Sequence, residues 1–542
     1  MADGITLFTM ERGDVIAGLS IAGLMLPEAI AYAGIAGLPP QHAILAALAG
    51  ALGYLLLGRS RFAIVSPTSS SAAILAAALG SLSLRGMDHV VAAMMIVAIV
   101  GLLFCLMAIA RLGGLASFIS RPVLRGFAFG LAITIIIKQL PIVVGLPIHG
   151  ASIFSLLAAL VEAIPHWHLA SIATALTALA ALLALRSMPA IPGAFLVLAG
   201  GIAASFLLRL PSHGVASVGT IDFTMRFQGL RLPDWQTLSR FVQLAAPIVL
   251  ILFAESWGTM RTLALRHGDA IDPNRELGAL GLANLASAMV QGMPVGAGFS
   301  AGSAAEAAGA HTRWTGLIAA AILGAFVLFA MPLVSLLPEP VLAAVVITAL
   351  LHALDPTPLV RLWRIGRDLP VALGAGVGVL ALGVLDGMLF AIGLSIALLI
   401  RRLATPQLVS LGRLGASHDY VDIARHPEAT LPQGIAIFRP AEPLFFANAE
   451  RVLARVAALQ STTPDRDHII LSLEESFDID STALDALVEF SALMTRRGVV
   501  LQLARVRDHV RDLMRAGGAD DLVAKSRYSV DDAVETFTKG QD

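Results

Sequence analysis

Between Asp88 and Arg111 the chain runs for 22 residues without a side chain that is charged at neutral pH, and similar stretches recur over the first 412 positions. A run of roughly 20 apolar residues can cross the hydrocarbon layer of a bilayer as a helix. Inside that layer only helices and closed barrels satisfy every backbone amide and carbonyl. The charges divide the same way: of the 75 Asp, Glu, Lys and Arg residues, 39 fall in positions 1 to 412 and 36 in the last 130. With 57% hydrophobic and 14% charged residues and a mean hydropathy of +0.81, this is not the composition of a soluble domain. The expectation is a polytopic α-helical membrane protein with a small soluble α/β tail. A net charge of -1 and the lack of a long basic run argue against nucleic acid as a partner.

Length, together with Gly, Pro and Arg punctuation, predicts fourteen membrane segments. They start near Val15, Gln41, Pro67, His89, Val123, Leu169, Ile191, Phe241, Leu277, Ser300, Thr315, Pro340, Leu369 and Gly387. With the N-terminus inside, the inner loops carry Arg59, Arg61, Arg111, Arg121, Arg125, Arg186, Arg261, Arg266, Arg275, Arg313, Arg361, Arg364, Arg367, Arg401 and Arg402. The short outer loops carry Arg85 alone, and the long loop from Arg209 to Arg240 is exempt by its length. Both termini are therefore expected in the cytoplasm. Residues 1–13 form an N-terminal segment, 14–403 the membrane domain, 404–415 a linker and 416–542 a cytoplasmic domain. Asp3, Glu11, Arg12 and Asp14 precede a long first apolar run with no small-residue cleavage signature, so the N-terminus is read as retained. The single cysteine, Cys105, sits in an apolar run as a small core residue.

Two stretches break the pattern: SPTSSSA at 66–72 and PVGAGFSAGS at 294–303. Pro67 and Pro294 are 227 positions apart, as are Glu28 and Glu255, and Pro122-Val-Leu recurs at Pro340 with an offset of 218. Together these offsets predict an inverted repeat of seven plus seven segments in which the third and tenth are broken half-helices. A half-helix starting at membrane depth exposes up to four unpaired amides and a positive dipole end of about half a unit charge. Two such ends facing each other make an anion site. The candidate substrate-binding residues are Thr68, Ser69 and Ser70 in segment 3 and Phe299, Ser300, Ala301 and Gly302 in segment 10, with Gly296 and Gly298 permitting close approach. The competing account is that small residues merely let helices pack tightly.

Ionisable groups at membrane depth are functional candidates by default. Glu28 lies about 14 residues into segment 1, near mid-depth, and Tyr32 sits one turn further on the same face and joins the substrate list. Glu255 is its counterpart in the second half, with Thr259 one turn below; Glu306 falls in segment 10, and Lys138 near the outer end of segment 5 reads as a snorkelling side chain. In the tail, strands at IAIFRP (435–440), LFFAN (444–448) and HIILSL (468–473) alternate with helices at 449–459, 481–497 and 507–516. No Walker loop, metal-ligand spacing or nucleophile elbow occurs, so neither an enzyme nor a metal site is expected.

These residues resemble the sulfate permease family of anion transporters. The likeness is carried by GLSIAGLMLPEAIAYAGIAGLPP at 18–40, GRSRFAIVSPTSSSA at 58–72 and the stretch 272–310. In the tail, YVDIARHPEA (420–429), PLFFANAE (443–450) and FDIDSTALDAL (477–487) resemble a STAS domain. The resemblance implies a transport core of segments 1–4 and 8–11, a gate of segments 5–7 and 12–14, a homodimer and an elevator-like motion. It implies proton coupling at Glu28, set against a carboxyl that only ties helices together. Glu255 with Thr259 is a candidate cation site or an internal tether, and the role of Glu306 stays open. Ser481 and Thr482 are candidates for phosphorylation or plain helix caps. The family commonly places a basic residue where Ala301 stands, which leaves the helix ends in charge here.

The expected function is secondary active transport, with proton-coupled uptake of a small inorganic or organic anion such as bicarbonate, a dicarboxylate or sulfate. Sodium coupling, anion exchange, nucleobase–proton symport on the same fold, and a membrane-anchored STAS signalling protein are the alternatives. The implied setting is a bacterial inner membrane, with lipid, a second copy and a cytoplasmic protein reached through the STAS domain as partners. A proton or sodium ion is the coupling ion and no other cofactor is expected.

Overall fold

The computed structural model describes residues 11–82, 88–114, 120–148, 152–186, 193–219, 234–405, 407–462 and 467–538. Asp3, Arg85, Ile191 and positions 220–233 of the long loop lie outside the described residues. The chain separates into two compact units, one running to Ser395 and one from Ile396.

The first unit is built from α1 (Arg12–Ala36), α2 (Pro40–Leu57), β1 (Val65–Pro67), α3 (Ser69–Gly80), α4 (His89–Ile109), α5 (Arg121–Val144), α6 (Ile153–Glu162), α7 (Leu169–Leu185) and α8 (Gly193–Leu207). It continues with α9 (Trp235–His267), α10 (Pro273–Met289), β2 (Val295–Ala297), α11 (Phe299–Ala307), α12 (Trp314–Val334), α13 (Glu339–Leu350), α14 (Thr357–Ile365), α15 (Leu369–Leu382) and the first part of α16 (Val384–Ala404), whose residues from Ile396 belong to the second unit. Among the described residues, six stretches are long and apolar enough to cross a membrane: α1, α2, α4, α5, α9 and residues 386–404 of α16. Helix occupies every predicted segment. Two helices fall outside the prediction: α6, which is too short to read as a span, and α14, whose TPLVRLWRI alternates arginine with apolar residues and reads as a loop. Proline opens α2, α5, α10 and α13 within the first two positions, where its missing N–H costs nothing.

Helices α1 to α4 pack with α9 to α12: α10 lies on α4 and α2, α1 on α12 and α2, and α4 on α9. Helix α5 packs on α15 and α13, and α13 on α7. In lipid the hydrophobic effect no longer drives helices together, so close contact relies on small residues. At the α5–α15 crossing a Cβ on Gly126 would fall 1.9 Å from the Ala372 carbonyl oxygen, and one on Gly130 2.6 Å from that of Gly376.

One end of the unit gathers the arginine-bearing loops. The buried Asp14 carboxylate accepts hydrogen bonds from the amides of His311 and Thr312 at 2.9 and 2.8 Å and from the hydroxyls of Thr312 and Thr315 at 2.7 and 2.9 Å, tying the start of α1 to the start of α12. Arg61 forms a two-pronged pair with Asp269 at 2.7 and 2.9 Å. Arg275 and Arg313 donate to the carbonyls of Leu57 and Gly58, each at 2.8 Å.

The second unit is a six-stranded sheet in the order β4-β3-β5-β6-β7-β8. Its strands are β3 (Leu408–Arg413), β4 (Tyr420–Asp422), β5 (Ile435–Pro440), β6 (His468–Ser472), β7 (Val500–Ala504) and β8 (Ser526–Arg527), and its helices α17 (Ala449–Ser461), α18 (Ser481–Arg496), α19 (Asp508–Ala516), α20 (Asp520–Ala524) and α21 (Val530–Thr538). Strands β5 to β8 are parallel; β3 runs antiparallel to β4 and β5. Alternate residues of β5 and β6 point to opposite faces: Phe438 and Leu471 join the core under α17 and α18, Ile437 and Ile470 the smaller core under α21. Strand β3 occupies the predicted linker, whose brevity hid it. The predicted strand at Leu444–Asn448 is a turn instead, because Asn448 folds back to accept from the Phe445 amide at 3.0 Å while Leu444 fills the core. His418, Tyr420 and Arg413 converge on Asp531 of α21. Burial first, and then the Asp531 charge, push the Tyr420 phenol up to about 12, so it stays a donor to that carboxylate.

Because the α5–α15 crossing leaves no space for a β-carbon, Gly126→Val is expected to abolish recovery of monodisperse protein in size-exclusion chromatography. Gly258→Ala, where a β-carbon meets nothing within 4 Å, should leave recovery unchanged. Equal yields would show that the crossing tolerates separation.

Candidate functional site

Strands β1 and β2 pair antiparallel inside the helical unit, with Val65 opposite Ala297, Ser66 opposite Gly296 and Pro67 opposite Val295. Extended backbone at membrane depth must have its polar groups satisfied by protein, and neighbouring helices do this for β2. Asn284 of α10 donates to the Val295 carbonyl at 2.9 Å and accepts from its amide at 3.0 Å. Ser256 of α9 accepts from the Ala297 amide at 2.9 Å, Ser287 donates to the Met293 carbonyl at 2.6 Å, and Ser71 donates to the Pro294 carbonyl at 3.0 Å. Gly296 is required by space: its β-carbon would fall 2.4 Å from Leu252 Cδ1 and 2.8 Å from Ser256 Oγ.

Each strand feeds the N-terminus of a short helix. Thr68 caps α3 reciprocally: its hydroxyl accepts from the Ser71 amide at 3.1 Å, and the Ser71 hydroxyl accepts from the Thr68 amide at 3.0 Å. Helix α11 starts at Phe299 behind Gly298 with no side-chain cap. A β-carbon on Gly298 would sit 3.5 Å from Thr68 Cγ2, so the two helix starts lie side by side. Their uncapped first-turn amides and positive dipole ends favour negative charge.

Carboxyl and hydroxyl groups surround these ends. Ser70 donates to the Glu255 carboxylate and its oxygen lies 2.9 Å from Thr68 Oγ1. The Tyr32 hydroxyl interacts with both the Glu28 carboxyl and the Ser69 hydroxyl, and lies within the field of Glu255. Tyr32, Thr68 and Ser70 are buried, while Glu28 and Glu255 are partly accessible. Among the described residues no lysine or arginine pairs with any member of this cluster, and Ala301 is buried at the start of α11.

The structure thus brings Glu28, Tyr32, Thr68, Ser69, Ser70 and Glu255 together, with Ala301, Gly302 and the half-buried Ser300 on the facing helix; Phe299, at 44% exposure, begins that helix. Thr259 lies one turn further along α9 from Glu255. Its hydroxyl donates to the Glu255 carbonyl of its own helix at 2.9 Å, while the Glu255 carboxylate goes to Ser70. Glu306 stands apart, in an ion pair with Arg266 at 3.1 Å and within hydrogen-bond distance of His267 at 2.9 Å, near the arginine-bearing end. Lys138 is exposed and lines a cleft between the helices. In the second unit Asp480, not Ser481 or Thr482, caps α18, accepting from the amides of Ala483 at 2.8 Å and Phe446 at 2.7 Å, and leaves both hydroxyl residues exposed. Among the described residues no cluster of His, Cys, Asp and Glu forms a metal site. Asn284, Ser256 and Ser287 escaped the sequence reading, although polar residues in the apolar part of a membrane helix rarely stand there idle.

The model of the sulfate permease family matches residues 12–370, and that of the STAS domain residues 426–533. The chain is 33% identical over 534 residues to a probable sulfate transporter of Mycobacterium tuberculosis, covering 97% of this chain and 95% of the relative. It is 27% identical to the chloroplastic sulfate transporter 4.1 of Arabidopsis thaliana, over 96% and 79% of the two chains. Among solved structures it is similar to the murine solute carrier 26 family member A9 anion transporter in the inward-facing state, with a TM-score of 0.88 at 20% identity over 98% and 92% of the chains. The transmembrane domain of a cyanobacterial bicarbonate transporter, BicA, matches with a TM-score of 0.61 at 21% identity over 70% and 97%. At such identities the structural likeness speaks for the fold alone. Two helix ends joined by a buried strand pair, in a chain with these relatives along nearly its whole length, have one placement: the chain belongs to the sulfate permease family of membrane transporters and carries a C-terminal STAS domain.

Proposed function

We propose that this protein is a secondary active transporter that takes up a small anion together with protons, binding the anion between the N-termini of α3 and α11. The observation that carries the reading is the convergence of two helix starts on a cluster holding two carboxyl groups and no fixed cation. Each helix end offers about half a positive charge. Glu28 and Glu255, both ionised, would outweigh that attraction and repel an anion. A proton on Glu28 removes one negative charge beside the site, so anion and proton each raise the other's affinity, as linkage requires. Tyr32 relays the change, since its hydroxyl joins Glu28 to Ser69 at the helix end. In this reading Thr68, Ser69, Ser70, Phe299, Ser300, Ala301, Gly302 and Tyr32 line the anion site, and Glu28 carries the proton. Glu255, held by Ser70, is the place a sodium ion would take if sodium replaced the proton.

The substrate class is sulfate, bicarbonate or a dicarboxylate: small oxyanions that helix-end amides and hydroxyls hold by hydrogen bonds. A mycobacterial relative is described as a probable sulfate transporter and a structural neighbour as a bicarbonate transporter. Family membership favours anions over nucleobases.

Fourteen spans in a seven-plus-seven inverted repeat belong to the same proposal. The antiparallel β1–β2 pair, the Pro-Val-Leu starts of α5 and α13, and the matched positions of α6 and α14 after α5 and α13 support it. Movement of the α1–α4 and α9–α12 group against the α5–α8 and α13–α16 group would carry the site across the membrane. The arginines gathered at one end support cytoplasmic termini in a bacterial inner membrane. A homodimer and a cytoplasmic partner for the STAS domain rest on the family relationship.

Uptake into proteoliposomes from a panel of labelled anions tests the proposal. Acidifying the outer solution is expected to speed wild-type uptake, because protonation removes negative charge from the site, and Glu28→Gln should lose that stimulation while still binding the anion. Wild-type uptake indifferent to the gradient would end proton coupling, and binding without any accumulation would favour a sensor. Replacing Ser300 by Leu should raise KM by about tenfold or more, since one lost charge-assisted contact alone is worth roughly 1.5–3 kcal/mol; unchanged KM in both Ser300→Leu and Thr68→Leu would place the site elsewhere.

A further inference from the structure

A cleft of about 820 Å³ opens in the membrane unit between the two packing groups, at the end of α1 far from Asp14 and the arginine-bearing loops. One wall is formed by α1 and α3, the helices that carry the site: Ala31 adjoins Tyr32, and Ala73 lies one turn beyond Ser69 and Ser70. The other wall includes Thr134, Lys138 and Gln139 of α5 and Glu339 at the start of α13. The cleft therefore ends about a helical turn short of the central cluster.

Among the described residues, Lys138 is the one cation that lines this cleft. It is one of three lysines among the chain's 37 Lys and Arg residues, and the other two lie beyond position 412. Its ammonium makes no ion pair or hydrogen bond among the described residues, and it is exposed to the cleft. Glu339, the acidic residue in the same lining, lies beyond ion-pair distance. A basic residue without a partner in an apolar membrane unit is costly and normally functional, and its charge, which lysine and arginine share, is what attracts an anion across a cleft. The central cluster, by contrast, pairs with no lysine or arginine among the described residues.

We propose that the cleft is the outer vestibule for the transported anion and that Lys138 captures the anion there, supplying the positive field that the central site lacks. This rests on the reading of α3 and α11 as an anion site. Low-dielectric walls focus the field of a single charge and raise the local concentration of its counter-ion. Because Lys138 stands on the wall opposite the site-bearing helices, it acts during approach and does not hold the anion once bound. It sets capture, and the helix ends set retention.

Uptake of labelled sulfate and bicarbonate by the full chain in proteoliposomes separates these roles. For the transported anion, Lys138→Gln is expected to raise KM about 3- to 10-fold, leave the maximal rate within about twofold, and flatten the rise of KM with ionic strength. Lys138→Arg should restore both KM and its salt dependence, which a merely structural role would not require. Unchanged KM and salt dependence in Lys138→Gln, or a loss confined to the maximal rate, overturns the proposal. Should Lys138→Gln fail to fold, unaltered KM and salt dependence in Lys138→Met would overturn it equally. A wild type that accumulates neither these anions nor others in the panel sinks the transport reading along with this one, whereas intact wild-type uptake with an indifferent Lys138→Gln sinks the vestibule alone.

Discussion

Two strands of three residues each, paired antiparallel in the interior of a helical membrane unit, hold the remainder of the site in place. Backbone released from helix at that depth has no water to turn to, so each free amide or carbonyl must find protein. The strands satisfy part of one another, and Asn284, Ser256, Ser287 and Ser71 take up most of what β2 leaves over. That bracing fixes where α3 and α11 begin. Were either segment a continuous helix, its amides would be spent on intrahelical bonds and no polar ends would meet in the middle.

Charge then decides what such a meeting place can do. Helix ends attract anions, yet two carboxyl groups stand beside them, and no lysine or arginine pairs with the cluster among the described residues. A site of this kind is near balance by construction: small changes in protonation or in a bound cation shift it between attraction and repulsion. Ala301 at the start of α11 adds no charge, whereas a basic residue there would bias the balance permanently. In the proposed reading the bias arrives with a coupling ion, or from a lysine outside the site.

Packing supplies the other constraint. Gly126 and Gly130 let α5 and α15 approach until backbone meets backbone, and Asp14 welds the start of α1 to the start of α12. Each packing group is thus internally tight, and the large cleft lies between them. Dispersion contacts and hydrogen bonds, not hydrophobic exclusion, do the holding in lipid, which is why glycine and serine, rather than leucine, mark the structural positions.

Much of this was legible in the one-dimensional chain. Charge-free runs fixed the helices, because the bilayer demands about 20 apolar residues per span. The interruptions at 66–72 and 294–303 fixed the half-helices, because proline and glycine remove backbone bonds wherever they fall. Glu28 and Glu255 announced themselves by the cost of a carboxyl in an apolar run. Contacts between distant positions were not legible. Glu306 is, like Glu255, a carboxyl in an apolar run, yet it ends beside Arg266 and His267; Thr259 turns its hydroxyl to its own helix; Lys138 faces a cleft that opens where the two packing groups stand apart. The chain alone determined which residues sit at membrane depth and where helices stop, since those depend on local hydropathy and backbone chemistry. Tertiary structure decided which of the buried polar groups face one another, since a side chain's partner is set by how helices far apart in sequence rotate and cross.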